Sequence, residues 1–314
     1  MTEATASAHP NIALVKYWGK NPDDQWLPIT PSVSATLDTL TTTTTVRDAS
    51  EDRVTLDGVE VHDAKIAHWL AQARTKFGLP SIAIATESNF PASSGLASSA
   101  SGFAALAVAA NEAFGLDLDF SALCELARMG SVSAGRSMLG GFVRLDPASN
   151  EQVVAQLHPR DHWPLRMVVA VTDPTQKRIS STSGMARSAS TSSYYSSWIV
   201  DTGKDYRECI AALADRDFPR LSKIAESNCC KMHALMLSSK PPLLYWKPGT
   251  LAAMETVGKL QEDGLDVFFT IDAGPQVKAF CSPEVADIVQ EELQVTPGVD
   301  HTINCGIGDG PSVH

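Results

Sequence analysis

The chain has 314 residues, of which 44% are hydrophobic and 19% charged, with a formal net charge of −11. That length suits two domains of about 150 residues or one large one, with enough apolar content for a substantial core. The acidic balance argues against nucleic acid or an anionic membrane as a partner, and no run reaches the roughly 18 apolar residues of a membrane span.

The N-terminus, MTEATASAHP, carries an acid and no apolar core, so no signal peptide is expected. Asn11–Val15 reads as a strand that delivers Lys16, Tyr17 and Lys20 at its end, where polar groups commonly face a cleft; an exposed basic turn is the alternative. Thr41–Thr45 is β-branched and reads as an edge strand. Asp57-Gly58, within Val54–Val61, signals a hairpin. Ala64–Phe77 has Ile66, Trp69, Leu70 and Ala73 on one helical face, and Ser81–Thr86 alternates as a strand.

Asn89–Ala110, NFPASSGLASSASGFAALAVAA, passes from a proline turn through small residues into an alanine-rich helix. Gly95 permits close backbone approach, the serines offer hydroxyls, and a helix N-terminus favours anions. A phosphate cradle is one reading. A Ser-capped helix packing small residues against a sheet is the other. It is not a Walker loop, because the Gly-Lys-Ser/Thr ending is missing.

Phe120–Arg128 reads as a short helix, followed by a glycine-rich stretch to Phe142. There Ser131, Ser133 and Arg136 are the strong polar groups; Arg136 could hold a carboxylate or phosphate at two points, or pair with an acid structurally. Strands over Val153–His158 and Arg166–Thr172 bracket His162-Trp-Pro, whose histidine reads as packed. The polar run at Asp173–Ser183 marks a boundary, giving domains 1–178 and 179–314. Ser180–Trp198 holds so many serines that packing or a ligand must stabilise any helix there. Helices follow over Asp205–Asp215, Phe218–Met236 and Thr250–Glu262. In DVFFTIDAGP, Asp266–Pro275, a buried strand sets Asp272 on a glycine turn, as a general base requires or as an Asx-turn would. The six cysteines show no C-x-x-C pair, so buried free thiols in a reducing cytoplasm, hence a cytoplasmic protein, are expected.

PASSGLASSASG resembles the phosphate-binding motif of the GHMP kinase superfamily. NIALVKYWGK, GLASSASGFAAL, Gly184-Met185 with Thr191-Ser192, and Asp272-Ala-Gly-Pro resemble one branch of it, the diphosphomevalonate decarboxylases, with blocks matched in order along about the whole chain. The resemblance implies an α+β, two-domain fold: an N-terminal GHMP nucleotide-binding α/β sandwich and a C-terminal ferredoxin-like domain, with the site between them. It implies a homodimer, ATP and Mg²⁺, and decarboxylation of mevalonate 5-diphosphate to isopentenyl diphosphate. In that resemblance Asp272, Arg136 and Lys16 are catalytic, with Arg136 on the substrate carboxylate. Ala13, Tyr17, Lys20, Ser131, Ser133 and Ser192 bind substrate, and Lys16 joins Tyr17, Lys20 and Ser192 on the diphosphate tail. Ser94, Gly95, Leu96, Ala97, Ser98, Ser99 and Ser101 hold the nucleotide, with Ser99 also on the metal. Ser193 stands where some bacterial members carry arginine, which keeps a mevalonate 5-phosphate enzyme in view. A small-molecule kinase without decarboxylation and a non-enzymatic nucleotide sensor are the other rivals.

Overall fold

Strands follow one another as β1 (Glu3–Ala8), β2 (Asn11–Val15), β3 (Ser32–Thr36), β4 (Thr42–Asp48), β5 (Arg53–Leu56), β6 (Val59–Glu60), β7 (Ile82–Ser88), β8 (Phe142–Leu145), β9 (Val154–His158), β10 (Arg166–Val171), β11 (Val267–Ile271), β12 (Val277–Cys281), β13 (His301–Cys305) and β14 (Ser312–Val313). The α-helices are α1 (Ala64–Phe77), α2 (Ser98–Phe114), α3 (Phe120–Gly130), α4 (Ser181–Thr191), α5 (Tyr195–Asp215), α6 (Phe218–Leu237), α7 (Pro248–Glu262) and α8 (Ala286–Gln294). These come from a computed structural model that describes residues 2–90, 98–175 and 178–314.

Three sheets carry the architecture. The first has the order β14-β1-β4-β7-β5-β6, the second β2-β3-β8-β9, and the third β11-β12-β10-β13. Helices α1, α2 and α3 pack on the first sheet around Trp69, Phe103 and Leu126. The alanines of α2 suit this place, since small side chains let a helix lie close to a sheet and to its neighbours. Helices α5 and α6 share a core with the second and third sheets, where Leu14, Phe142, Leu221 and Phe268 meet. Helices α7 and α8 cover the other face of the third sheet.

Local chemistry accounts for the individual elements. Asp63 caps α1 by accepting from the backbone N–H groups of Lys65 and Ile66, and Gly78 ends it in the left-handed region. Asp57 and Gly58 both have positive φ, the turn that the Asp-Gly pair signals between β5 and β6. The serine-rich stretch is two helices broken at Ser192–Tyr194, and Ser188 fastens it by bonding Trp18 Nε1 and Ser239.

Three expectations are corrected. Strand β4 is interior, between β1 and β7, because its threonine hydroxyls have partners on both sides: Ser7–Thr43 and Thr5–Thr45 on one, Thr44–Thr86 on the other. Strand β10 pairs with β12 and β13, so it belongs with the later part of the chain rather than before a boundary at 178/179. The polar run after it is the exit into α4, and we place the divide between β9 and β10. Five cysteines are buried and free as expected, whereas Cys230 is exposed on α6.

Candidate active site

Strand β11 is apolar and buried, and it ends at Asp272. A tight turn follows, in which Gly274 N–H donates to the Asp272 carbonyl at 2.7 Å. Lys16 arrives from the end of β2, where pairing with β3 slips between Ala13 and Val15. Its backbone N–H donates to Asn228 Oδ1 at 2.7 Å, and its ammonium donates to the Ala13 carbonyl at 2.7 Å and to Asp272 Oδ1 at 2.6 Å. On the other side, Lys278 of β12 sets Nζ 3.4 Å from Asp272 Oδ2. Burial by itself raises the Asp272 carboxyl, but the Lys16 and Lys278 ammonium groups outweigh it and hold the carboxyl well below the usual range. About a quarter of the Asp272 side chain remains accessible (26%), and it opens on a cavity of about 130 Å³.

Arg136 lines the same cavity from a 3₁₀ turn over Val132–Met138. It is buried, and its bonds are to neutral oxygens: Nε to Asn11 Oδ1 and Ser34 Oγ at 3.0 Å each, Nη1 to Ser32 Oγ at 2.6 Å. Among the described residues no carboxylate forms an ion pair with it. Burial works to lower its basicity, yet a guanidinium keeps its charge. The result is an aimed, desolvated cation lacking an anion. Tyr17 lies against it, ring centroid 5.5 Å from Cζ, with its phenol pushed up by burial.

Ser99 lies near the start of α2, exposed, with Oγ 3.4 Å from Ser131 Oγ; Ser131 in turn bonds Ser133 at 3.0 Å. Gly130 makes this approach feasible, since a Cβ there would stand 1.9 Å from the Phe103 ring. A second cavity opens here, with Lys20, Lys65 and Arg128 around Ser98, Ser99 and Ser131. Burial and the nearby Lys65 charge both lower Lys20. A third cavity has an apolar wall of Leu56, Ile66, Phe103 and Leu106, with Ser98, Ser99 and Lys65 at its edge and Asp57 and Asp63 also lining it. Ser99 lines all three cavities, so they form one run: apolar pocket, cationic middle, Asp272 end.

The structure thus brings together Asp272, Lys16, Arg136, Ala13, Tyr17, Lys20, Ser99, Ser131 and Ser133, with Ser98 alongside. Ser94, Gly95, Leu96 and Ala97 lie outside the described residues. Three placements differ from expectation. Lys16 is turned onto Asp272, not onto a separate tail site, because that carboxylate accepts from its ammonium at 2.6 Å. Ser101 is fully buried, and its hydroxyl bonds Thr42 Oγ1 at 2.7 Å, so it braces helix against sheet. Ser192 ends α4 with its hydroxyl 2.6 Å from Ser238 Oγ and lines none of the three cavities. Sequence reasoning missed Lys278, Asn228 and the apolar pocket. A lysine inside the otherwise apolar VKAFC was the available signal for the first.

The comparisons agree with this geometry. Residues 8–155 match the profile of the diphosphomevalonate decarboxylase-like N-terminal domain, and residues 167–302 that of the mevalonate 5-diphosphate decarboxylase C-terminal domain. The chain belongs to the diphosphomevalonate decarboxylase family. A relative from Candida albicans named diphosphomevalonate decarboxylase is 31% identical, over 99% of this chain and 98% of its own. The mevalonate diphosphate decarboxylase from Enterococcus faecalis, solved in a study of its mevalonate diphosphate mediated ATP binding, superposes with a TM-score of 0.90 at 35% identity, covering 100% of this chain and 99% of that one. A structure described as MDDEF with MVAPP, AMPPCP and magnesium reaches 0.92 at 35% identity, with the same coverage. The family fold is the two-domain α+β arrangement of the GHMP kinases.

Proposed function

We propose that the protein decarboxylates mevalonate 5-diphosphate in an ATP-dependent reaction, yielding isopentenyl diphosphate, ADP, phosphate and CO₂. The observation that carries this reading is the order along the cleft: an apolar pocket for a base, cations and hydroxyls for phosphates, then an ionised carboxylate beside a guanidinium with no anion of its own. A kinase needs the first three. Arg136 adds a seat for a substrate carboxylate, which decarboxylation requires and simple phosphoryl transfer does not.

In this mechanism Asp272 orients the tertiary hydroxyl toward the γ-phosphate. Held so acidic by two lysines, it is a weak base, so its main service is aim, with the proton taken only as the phosphoryl group moves across. Lys16 stabilises negative charge at the reacting oxygen. Once phosphate departs, a cation-like centre develops at C3, and the carboxylate held by Arg136 leaves as CO₂. Lys20, Tyr17, Ser131 and Ser133 face the phosphate-bearing part of the substrate.

Magnesium fits the donors present: the described residues form no carboxylate-rich cage, and Ser99 offers an exposed hydroxyl at the cationic middle, the sparse set this ion accepts when phosphates supply the rest. Bound there, it would neutralise charge on the triphosphate. A homodimer and a cytoplasmic location complete the reading. No helix among the described residues is long and apolar enough to cross a membrane.

The test is purified protein with ATP and either mevalonate phosphate, following CO₂ and ADP together. Equal release of both from the diphosphate is expected; ADP without CO₂ would mean a kinase. Ser193 is exposed, and the missing guanidinium costs affinity of about 1.5–3 kcal/mol if nothing replaces it, a factor of roughly ten to a hundred. The diphosphate is still expected to give the higher kcat/KM, because the monophosphate forfeits contacts to the second phosphate. Ser193→Arg should lower KM and leave kcat similar. A higher kcat/KM for the monophosphate overturns the substrate assignment.

A further inference from the structure

Lys278 is wholly buried, on the middle of β12, and does not line the cleft. Strand register fixes it there: it stands opposite Thr270 of β11 and Val169 of β10, two residues before Asp272 on the neighbouring strand. A lysine in that position is costly to bury unless an anion meets it. The carboxylate that does so is Asp272, at Oδ2, while Lys16 takes Oδ1.

The remaining groups that face Asp272 do not compete for the role. From α6, His233 is buried against the Ile271 carbonyl, its pKa lowered to about 4, and Cys229 is pushed up to about 12, so both are neutral. Tyr17 is neutral as well, and Arg136 is bonded to Asn11, Ser32 and Ser34. Two ammonium groups therefore serve one carboxylate. They are not equivalent, because Lys16 lines the cleft and Lys278 cannot reach it.

We infer that Lys278 is a positioning residue for the reaction: from inside the sheet it holds Oδ2 of Asp272, fixing the carboxylate in charge and aim, and so leaves Lys16 as the cation an incoming anion can engage. This rests on Asp272 being the acid that orients the reacting hydroxyl. The expected signature is a turnover effect without a binding effect, since Lys278 touches no substrate. It should also vanish when Asp272 is gone.

The experiment is a double-mutant cycle on the full chain, with Lys278→Met and Lys278→Gln in the native and Asp272→Asn backgrounds. In the native background kcat should fall about tenfold or more, the loss expected of a group that orients an acid, with both KM values within about threefold. In the Asp272→Asn background the same replacements should cost no further turnover, and should raise the melting temperature, because Lys278 is there a buried cation deprived of its anion. A lysine that merely fills space predicts the reverse: lower melting temperature in both backgrounds. That result, or a loss carried by KM, overturns the inference. Should neither variant fold in the native background, folding in the Asp272→Asn background still supports it, and failure in both rejects it. If Asp272→Asn itself keeps turnover near the native rate, the functional reading fails first and is recognised separately.

Discussion

Two groups in the catalytic cleft treat charge in opposite ways: Asp272 with its lysines, and Arg136 with the cations beyond it. At Asp272, two ammonium groups meet one carboxylate, Lys16 by a hydrogen bond and Lys278 as an ion pair at 3.4 Å, and the nearby histidine, thiol and phenol are neutral. Beside it, the buried Arg136 guanidinium meets hydroxyls and an amide, and Lys20, Lys65 and Arg128 lie further along. The first has its carboxylate paired before any ligand arrives, which suits a group that must be in place for chemistry. The second is left positive, which suits the capture of anions. An acidic protein thereby keeps a cationic cleft, and net charge alone hides it.

The severest way to break this contrast is Asp272→Asn. Turnover should fall by about 10²–10⁴, and stability should fall too, since two buried ammonium groups lose their anion; unpairing of that kind typically costs about 3–5 kcal/mol. Steady-state kinetics and urea unfolding read the two effects, and turnover within a few-fold of native would remove Asp272 from the mechanism.

Next comes acid. With His233 lowered to about 4 when folded and near 6.5 unfolded, the unfolded chain binds the extra proton between those values. Stability is therefore full above about pH 6.5 and drains as pH falls toward 4, by about 2–3 kcal/mol at pH 4.5. Urea unfolding at pH 7 and 4.5 measures it. His233→Gln should flatten the difference, and an unchanged slope would mean another group carries it.

Arg136→Lys tests the cationic side of the contrast. It keeps a charge and loses the planar fork, so kcat/KM should fall roughly ten- to a hundredfold, from about 1.5–3 kcal/mol of charge-assisted bonding. The Asp272 end should be undisturbed, visible as an unchanged melting temperature to within a few degrees. The smallest pair contrasts two hydroxyls. Ser99→Ala should lower ATP-dependent turnover by roughly two- to tenfold, the worth of one hydrogen bond, with little change in stability. Ser101→Ala should do the opposite: about 1 kcal/mol less stability and turnover within about twofold of native. Equal effects from both would erase the distinction drawn between them.

Those two serines also mark how far the sequence could be read. Asp272, Arg136 and the β2 cations were legible because each follows from its own neighbours: an apolar strand into a glycine turn, a glycine-rich stretch with one arginine, a strand ending in Lys-Tyr. Helix α1 and the Asp57-Gly58 turn were legible for the same reason. What a hydroxyl bonds to is decided elsewhere in the chain. Ser101 meets Thr42 and Ser192 meets Ser238, and neither contact leaves a mark in the local pattern. Lys278 was hidden likewise, since strand register brings it to Asp272, and β4 was misplaced because its neighbours are β1 and β7.

Strand β14 returns from the third sheet to pair with β1, and on the way Gly308 is stitched to Thr36 and Gly141. The polypeptide therefore passes between the two parts of the molecule twice, once after β9 and once after β13. A body joined by a single tether can swivel in any direction, whereas one joined at two places turns about the line through them. Here the core that α5 and α6 share with the second and third sheets adds to the two crossings, so the walls of the cleft are braced against one another rather than hung on a single length of chain.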